Sequence, residues 1–298
     1  MVEVGQIRAD NRSGATALTE RGAALLAAAV ALPPAEYQQV AQAVACAQPA
    51  MASLLRLANA VLLAAAAHPE ASAVAARRAA EQFLSDLRDH AAAAVPQGAA
   101  LAQGRRVLTH SASSLVAEAL QQAHAAGGVR QVTCTESRPA GEGVTLARRL
   151  GEAGLPVRLV IDAAAASLLP ECDLVLLGAD TVCAEGLVHK IGTLGLALAA
   201  QNFGVPVYAL ATDEKLLPVA CGPRPPIPLR EGTELLPDPA PGVTVLNRYF
   251  DLTPPGCLSA IVCESGLLRH RALTRRLKQL PVHPSLRHLF PGGQRCPQ

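Results

Sequence analysis

A change of hydrophobic period near Arg105 constrains this chain more than any other feature. Of its 59 alanines, 34 fall in the first 100 residues, a stretch with only five prolines. Alanine is the best helix former, so this part reads as a helical N-terminal domain over residues 1–104. Three helical segments are expected, Ala15 to Leu32, Ala35 to Ala67 with a break at Pro49, and Glu70 to Ala94. Pro33-Pro34 and His68-Pro69 punctuate them as stops and starts. In the third segment Phe83, Leu84 and Leu87 follow helical spacing, with Glu81, Asp86, Arg88 and Asp89 on the wet side.

After Arg105, short and wholly apolar runs alternate with helical stretches. Five strands are expected at Val107 to Thr109, Val129 to Cys134, Val157 to Ile161, Leu174 to Leu177 and Val205 to Leu210. Helices fall between them at Leu115 to Ala126, Val144 to Glu152, Ala163 to Leu169 and Lys190 to Phe203. Strands that are apolar throughout, rather than alternating, belong to a parallel sheet covered on both faces. Residues 105–298 therefore read as a Rossmann-like, doubly wound α/β domain. A proline-rich loop follows Lys215, then a last strand and helix through Cys257 to Cys263 and Arg271 to Gln279. No internal repeat is apparent.

Composition narrows the function classes. A chain of 298 residues, 50% hydrophobic and 17% charged with net charge +2, buries a core and lacks the basic excess that neutralises phosphate backbones. Neither nucleic acid nor a membrane surface is expected as a partner. The best apolar run, Leu57 to Ala67, falls short of a bilayer span, and no secretory signal is visible at Met1 to Gly5. Eight cysteines without a C-x-x-C pair point to reduced thiols in the cytoplasm, with no metal site and no cofactor.

In open α/β sheets the ligand lies at the carboxyl ends of the strands. Reading outward from each strand gives His110-Ser111, Glu136-Ser137-Arg138, Asp162, Asp180 and Thr212-Asp213. Each has a structural alternative: Ser111 and Asp162 as helix N-caps, Arg138 as a surface residue. Chance would scatter them between both ends of the sheet. Lys190-Ile191-Gly192-Thr193 reads as a helix start with a lysine beside it, an anion cradle. The Gly141-Glu142-Gly143 segment lacks a third glycine and is weak evidence for a dinucleotide.

At these residues the chain resembles a known superfamily. Cys134-Thr135-Glu136-Ser137-Arg138-Pro139, Gly178-Ala179-Asp180, Lys190-Ile191-Gly192-Thr193 and Asn247 to Pro255 stand in the right order and spacing. They look like the signature shared by the alpha, beta and delta subunits of translation initiation factor 2B, methylthioribose-1-phosphate isomerase and ribose-1,5-bisphosphate isomerase. The resemblance runs from Arg105 to about Leu268, and more weakly to Arg12-Ser13-Gly14-Ala15, which resembles a phosphate-contacting loop. It implies a phosphorylated small molecule bound by Arg12, Gly14, Ala15, Gln48, His110, Arg138, His189 and Lys190, in a homodimer or an assembly of dimers.

Three positions bear on the branch. The isomerases carry a Cys after the His of the first strand and an Asp in the later motif. Here Asp180 is present, but Ser111 stands in the position of the Cys. Gln48 replaces an Arg before Pro49, and His189 replaces an Asn before Lys190. A serine hydroxyl is a far weaker acid than a thiol unless a strong base adjoins it. The sequence thus favours a non-catalytic, initiation-factor-2B-like protein that binds a sugar phosphate or nucleotide. The alternative is an isomerase turning an aldose-1-phosphate into a ketose-1-phosphate, with Asp180 and Ser111 as its catalytic residues.

Overall fold

A computed structural model describes residues 2–10 and 13–291. The alanine-rich part folds as five helices: α1 (Val2–Ala9), α2 (Ala15–Ala28), α3 (Pro34–Ala45), α4 (Ala52–Ala67) and α5 (Ser72–Ala102). Pro34 opens α3 and Pro69 opens the turn before α5, where a missing N–H costs nothing. Small side chains let the helices approach closely. At Gly22 a Cβ would stand 2.9 Å from the Leu54 side chain.

The expected third helix stops too early. Helix α5 continues through Pro96 to Ala102, because its last turns are held by burial. Ala94, Val95, Ala99 and Ala102 pack into the core beneath the sheet, while Ala76, Ala80 and Phe83 belong to the helical core. Packing on both sides outweighs the one backbone hydrogen bond that proline removes.

The second part contains β1 (Arg106–Thr109), α6 (Ser114–Ala125), β2 (Gln131–Thr135), α7 (Glu142–Glu152), β3 (Val157–Val160), α8 (Ala165–Leu168) and β4 (Leu174–Leu177). A hairpin, β5 (Thr181–Cys183) and β6 (Gly186–Lys190), precedes α9 (Thr193–Asn202) and β7 (Val207–Leu210). After the proline-rich excursion with β8 (Leu229–Arg230) and β9 (Asn247–Arg248) come β10 (Phe250–Thr253), β11 (Ala260–Cys263), β12 (Gly266–Leu268) and α10 (His270–Gln279).

The main sheet has the order β12-β11-β7-β4-β1-β2-β3, parallel except for the edge strand β12. From β1 the chain winds outward through β2 and β3, then returns to β4 on the other side and continues through β7 and β11. The direction of winding reverses between β1 and β4, and that is where a doubly wound sheet opens its crevice.

One element was read wrongly from the sequence. Lys190 does not open a helix; it ends β6, which pairs with β10 in a small antiparallel sheet, Phe250 opposite Lys190 and Asp251 opposite His189. All five residues of β6 are buried, an environment that rewards strand over helix at Val188. The hairpin turn needs Gly186, at φ +141°, where a Cβ would meet the Thr253 carbonyl oxygen at 2.0 Å. This second sheet folds back over the carboxyl ends of the first.

Among the described residues six cysteines are free thiols, whereas Cys46 is disulfide-bonded, which corrects the expectation of reduced thiols at that position. No single described helix is long and apolar enough to cross a membrane.

Candidate functional site

Ser111 follows β1 and Asp180 follows β4, so both stand at the point where the winding reverses. Close packing brings the two loops together. A Cβ on Gly178 would lie 2.6 Å from the Cβ of Ser113, the residue that caps α6. Ser113, not Ser111, is therefore the helix cap.

Ser111 is held at φ +68° and Ser137 at φ +66°, two of the three non-glycine residues with positive φ among the described residues. A side chain in the left-handed region is strained, and such strain collects at functional sites. The two serines are tied: the Ser111 N–H donates to Ser137 Oγ at 2.7 Å. Asp162 does not cap its own helix. Its carboxylate accepts from the Ser137 and Arg138 N–H groups, both at 2.7 Å.

The decisive partner of Ser111 is Glu142. Ser111 Oγ donates to Glu142 Oε1 at 2.8 Å, and Lys190 Nζ donates to the same oxygen at 2.7 Å. Glu142 Oε2 is buried with no hydrogen-bond partner among the described residues. The Gly-Glu-Gly segment is thus no dinucleotide loop. Gly141 turns the chain at φ +74°, Gly143 presses on the Thr135 carbonyl, and Glu142 between them enters the site.

His110 adjoins Ser111 in the chain, but its ring is committed elsewhere. Nε2 donates to the Ile191 carbonyl at 2.8 Å, which leaves Nδ1 to accept from Thr135 Oγ1 at 2.6 Å. Burial lowers its pKa, opposed by the Ile191 carbonyl and by the charges of Asp162 and Glu142. His189 Nδ1 pairs with Thr193 Oγ1 at 2.9 Å, and that hydroxyl donates to the Lys190 carbonyl at 2.6 Å. Burial, with His110 and two lysines nearby, pushes the His189 pKa well down. Both imidazoles are neutral ties.

Asp180 is recessed, and its carboxyl is pushed up to about 6, first by burial, with Lys215 and Lys190 pulling it down and Glu142 pushing it up. Lys215 Nζ donates to the Ala179 carbonyl, and burial lowers its pKa. A carboxyl that titrates near neutrality is suited to giving and taking protons.

The helical part closes one side. The Ala52 N–H at the start of α4 donates to Thr181 Oγ1 at 2.8 Å and to the Asp180 carbonyl at 3.2 Å. Gln48, just before, is buried and fully engaged: Nε2 donates to the carbonyls of Ile7, Arg8 and Asp10, and Oε1 accepts from Arg230 at 2.6 Å. Gly14 is exposed at the N-cap of α2 and Ala15 is buried in its first turn. Arg12 lies outside the described residues. Arg138 is exposed, at the rim.

The anion cradle expected at α9 is already filled. Asp251 Oδ2 accepts from the Gly192 and Leu194 N–H groups at 2.8 and 3.1 Å. Burial pushes the Asp251 carboxyl up to about 6 against those two hydrogen bonds. Glu142, Lys215, Arg230 and Asp251 were missed as site residues. For Glu142 a signal was present, a carboxylate between two glycines directly after a strand end.

Residues 19–270 match the Initiation factor 2 subunit family. The chain belongs to that family. It is 35% identical over 186 residues to a ribose 1,5-bisphosphate isomerase of Haloferax volcanii, covering 60% of this chain and 58% of that protein. It is 37% identical over 217 residues to a methylthioribose-1-phosphate isomerase of Gemmatimonas aurantiaca, covering 68% and 60%. The matches thus span less than two thirds of these relatives' length. Translation initiation factor eIF-2B of Pyrococcus horikoshii superposes with a TM-score of 0.76 at 26% identity, over 90% of this chain and 95% of that one. The 5-methylthioribose 1-phosphate isomerase of the same organism shares the fold, with a TM-score of 0.70 at 22% identity, over 92% and 86%.

Proposed function

We propose that this family member isomerises a phosphorylated aldose to the corresponding ketose at the β1/β4 crevice. The relatives named above weigh toward this reading and away from the non-catalytic binder that Ser111 alone favours. The observation that carries it is the recessed Asp180 carboxyl, pushed up to about 6 beside Lys190, Lys215 and Glu142.

The reaction needs no external oxidant. In an aldose-1-phosphate the bond from C1 to the ring oxygen breaks and that oxygen takes a proton. The hydrogen on C2 moves to C1, and the C2 hydroxyl gives up its proton as C2 becomes the ketone. One group must donate a proton and another accept one. Two carboxylates in contrasting surroundings fit such a pair. Asp180, protonated for part of the time near neutrality, is the donor. Glu142, anchored to the Lys190 ammonium and reached through the Ser111 hydroxyl, is the acceptor, a base the thiol-less site otherwise lacks. Lys190 and Arg138, the latter exposed at the rim, are assigned to the phosphate, together with Arg12 as the sequence resemblance implies. Leu159, exposed on the edge strand β3, and Ile161, exposed just after it, support pairing with a second copy.

The test is turnover of ribose-1,5-bisphosphate and of methylthioribose-1-phosphate by the wild type and by Asp180→Asn. Loss of a general acid costs about two to four orders of magnitude in rate, and that drop is expected for Asp180→Asn. A wild type that binds these sugars but turns over neither returns the protein to the binding reading.

A further inference from the structure

We propose that Arg56 of α4, with His90 of α5 beside it, is a positioning residue: it seats the turn Asp213–Lys215, so that Lys215 stands against the Asp180 loop when the helical part is docked on the sheet. This rests on the isomerase reading and gives the docked helices a part in its proton chemistry.

One helix grips both walls of the crevice. At the start of α4 the Ala52 N–H donates to Thr181 Oγ1 and to the Asp180 carbonyl, which fixes the loop after β4. Arg56 follows one turn later on the same face. Its Nη2 donates to Asp213 Oδ2 at 2.8 Å. Asp213 begins a single turn after β7 that ends in Lys215, and Lys215 Nζ donates to the carbonyl of Ala179, the neighbour of Asp180. Between them Glu214 Oε1 meets His90 Nδ1 at 2.7 Å. His90 stands on α5 between its helical-core residue Phe83 and its sheet-core residue Ala94. Two consecutive carboxylates thus face the helices, and the ammonium that follows them faces the crevice.

The Arg56 link is buried. The Arg56 and Asp213 side chains are 14% and 10% exposed, and an ion pair taken out of water holds its geometry where a solvated one contributes little. Arg56 faces Asp213, Glu214, Arg276 and the Cys221 thiol, and His90 faces Glu214, Glu264 and Asp213. Arg276 of α10 shares Asp213 through Oδ1 at 2.7 Å, so Asp213 keeps a counter-charge when Arg56 is removed. On its far side the turn is anchored to the hairpin, the Leu217 N–H donating to the Val182 carbonyl at 2.8 Å. Loss of the helical anchor therefore loosens Lys215 without freeing it. Three charges act on Asp180: Lys215 and Lys190 lower its carboxyl and Glu142 raises it, while the neighbouring His189 is neutral. Lys190 belongs to β6 and Glu142 to α7, so Lys215 is the one of the three that the turn on α4 and α5 carries.

Carbon-13 NMR of the full chain labelled at aspartate reads the effect directly, the Asp180 signal being the one lost in Asp180→Asn. The wild-type carboxyl should titrate at about 6. Lys215→Gln should raise that midpoint by about 1–3 pH units, the worth of a close opposite charge, and Arg56→Gln by about 0.5–1, because the hairpin still holds the turn. Arg56→Lys, which keeps a charge and a donor, should stay nearer to the wild type. Arg56→Gln added to Lys215→Gln should raise it no further, since both act through one ammonium. The pH–rate midpoint should follow the same order. A merely structural arginine would lower the denaturant midpoint and leave Asp180 unmoved, and that result refutes the proposal, as does a further rise in the double variant. If Arg56→Gln does not fold, His90→Gln should raise the Asp180 midpoint in the same direction, and an unmoved midpoint there refutes it. An unmoved midpoint with wild-type turnover intact sinks the positioning role alone, whereas a wild type that turns over neither sugar sinks the isomerase reading.

Discussion

Replacing Gly143 with alanine tests how the site is built. Alanine in place of glycine inside a helix ordinarily stabilises by about 0.5–1 kcal/mol. Here the added Cβ would lie 1.9 Å from the Thr135 carbonyl oxygen, 2.7 Å from Ser137 Oγ and 3.0 Å from the Thr135 carbonyl carbon. Two of those atoms are backbone at the end of a buried strand, so the first turn of α7 must yield. Restoring ordinary contact means a retreat of about 1.5 Å, on the order of the overpacking that costs about 1–3 kcal/mol. Glu142 moves with that turn, and its 2.8 Å bond to Ser111 and 2.7 Å bond to Lys190 cannot both survive. Together these amount to about 2–4 kcal/mol, read as a lower denaturant midpoint. Turnover should fall by about 100-fold, the usual effect of a misplacement near 1 Å. Combined with Glu142→Gln, the two losses should not add, because both act through one carboxylate. An alanine variant as stable as the wild type, with unchanged turnover, refutes the account of how Glu142 is aimed.

Two further outcomes concern titration. Glu142→Gln removes a charge that raises the Asp180 carboxyl and frees Lys190 to pull it down, so the pH–rate midpoint assigned to Asp180 should move below about 6; an unmoved or raised midpoint argues against the coupling. At His90, burial pulls the pKa down but the hydrogen bond and charge of Glu214 outweigh it, leaving it raised. A pKa raised on folding contributes stability in full below the unfolded value of about 6.5, and that contribution fades as pH climbs through the folded value. The denaturant midpoint should therefore drop modestly between about pH 6 and about pH 8, and His90→Gln should flatten the slope; an unchanged slope in the variant refutes the assignment.

The alternation of apolar runs and helical stretches from Val107 to Leu210 was enough to read the parallel sheet, because wholly buried strands carry an unbroken apolar signature. That signature also placed Ser111 and Asp180 at strand ends. It failed at Leu187 to Lys190, where a short antiparallel strand merged with the helix after it. Strand pairing with β10, some 60 residues on, is a tertiary fact with no local trace. It failed again at Pro96, where a local helix breaker was overruled by packing on two cores. Arg230 was out of reach for a similar reason. Nothing within a proline-rich excursion announces that one arginine returns to Gln48.

Glu142 shows why the site resists position-by-position reading. Judged alone, Ser111 is a lost thiol, and a lost thiol argues for a lost activity. Judged with its neighbours, the serine hydroxyl points at a carboxylate whose second oxygen has no partner among the described residues, under an ammonium that binds the first. The strained backbone at Ser111 and Ser137 is held by the links that aim the hydroxyl: the Ser111 N–H on Ser137 Oγ, and Asp162 beneath Ser137. Two left-handed serines and a recessed carboxyl pushed up to about 6 are features of a built ligand site and not of a relaxed loop. Strain of that kind costs on the order of 1–3 kcal/mol per residue and relaxes when nothing requires it. On the isomerase reading proposed above, the two loops would carry a proton between Ser111, Glu142 and Asp180, with Glu142 as the base that the serine lacks.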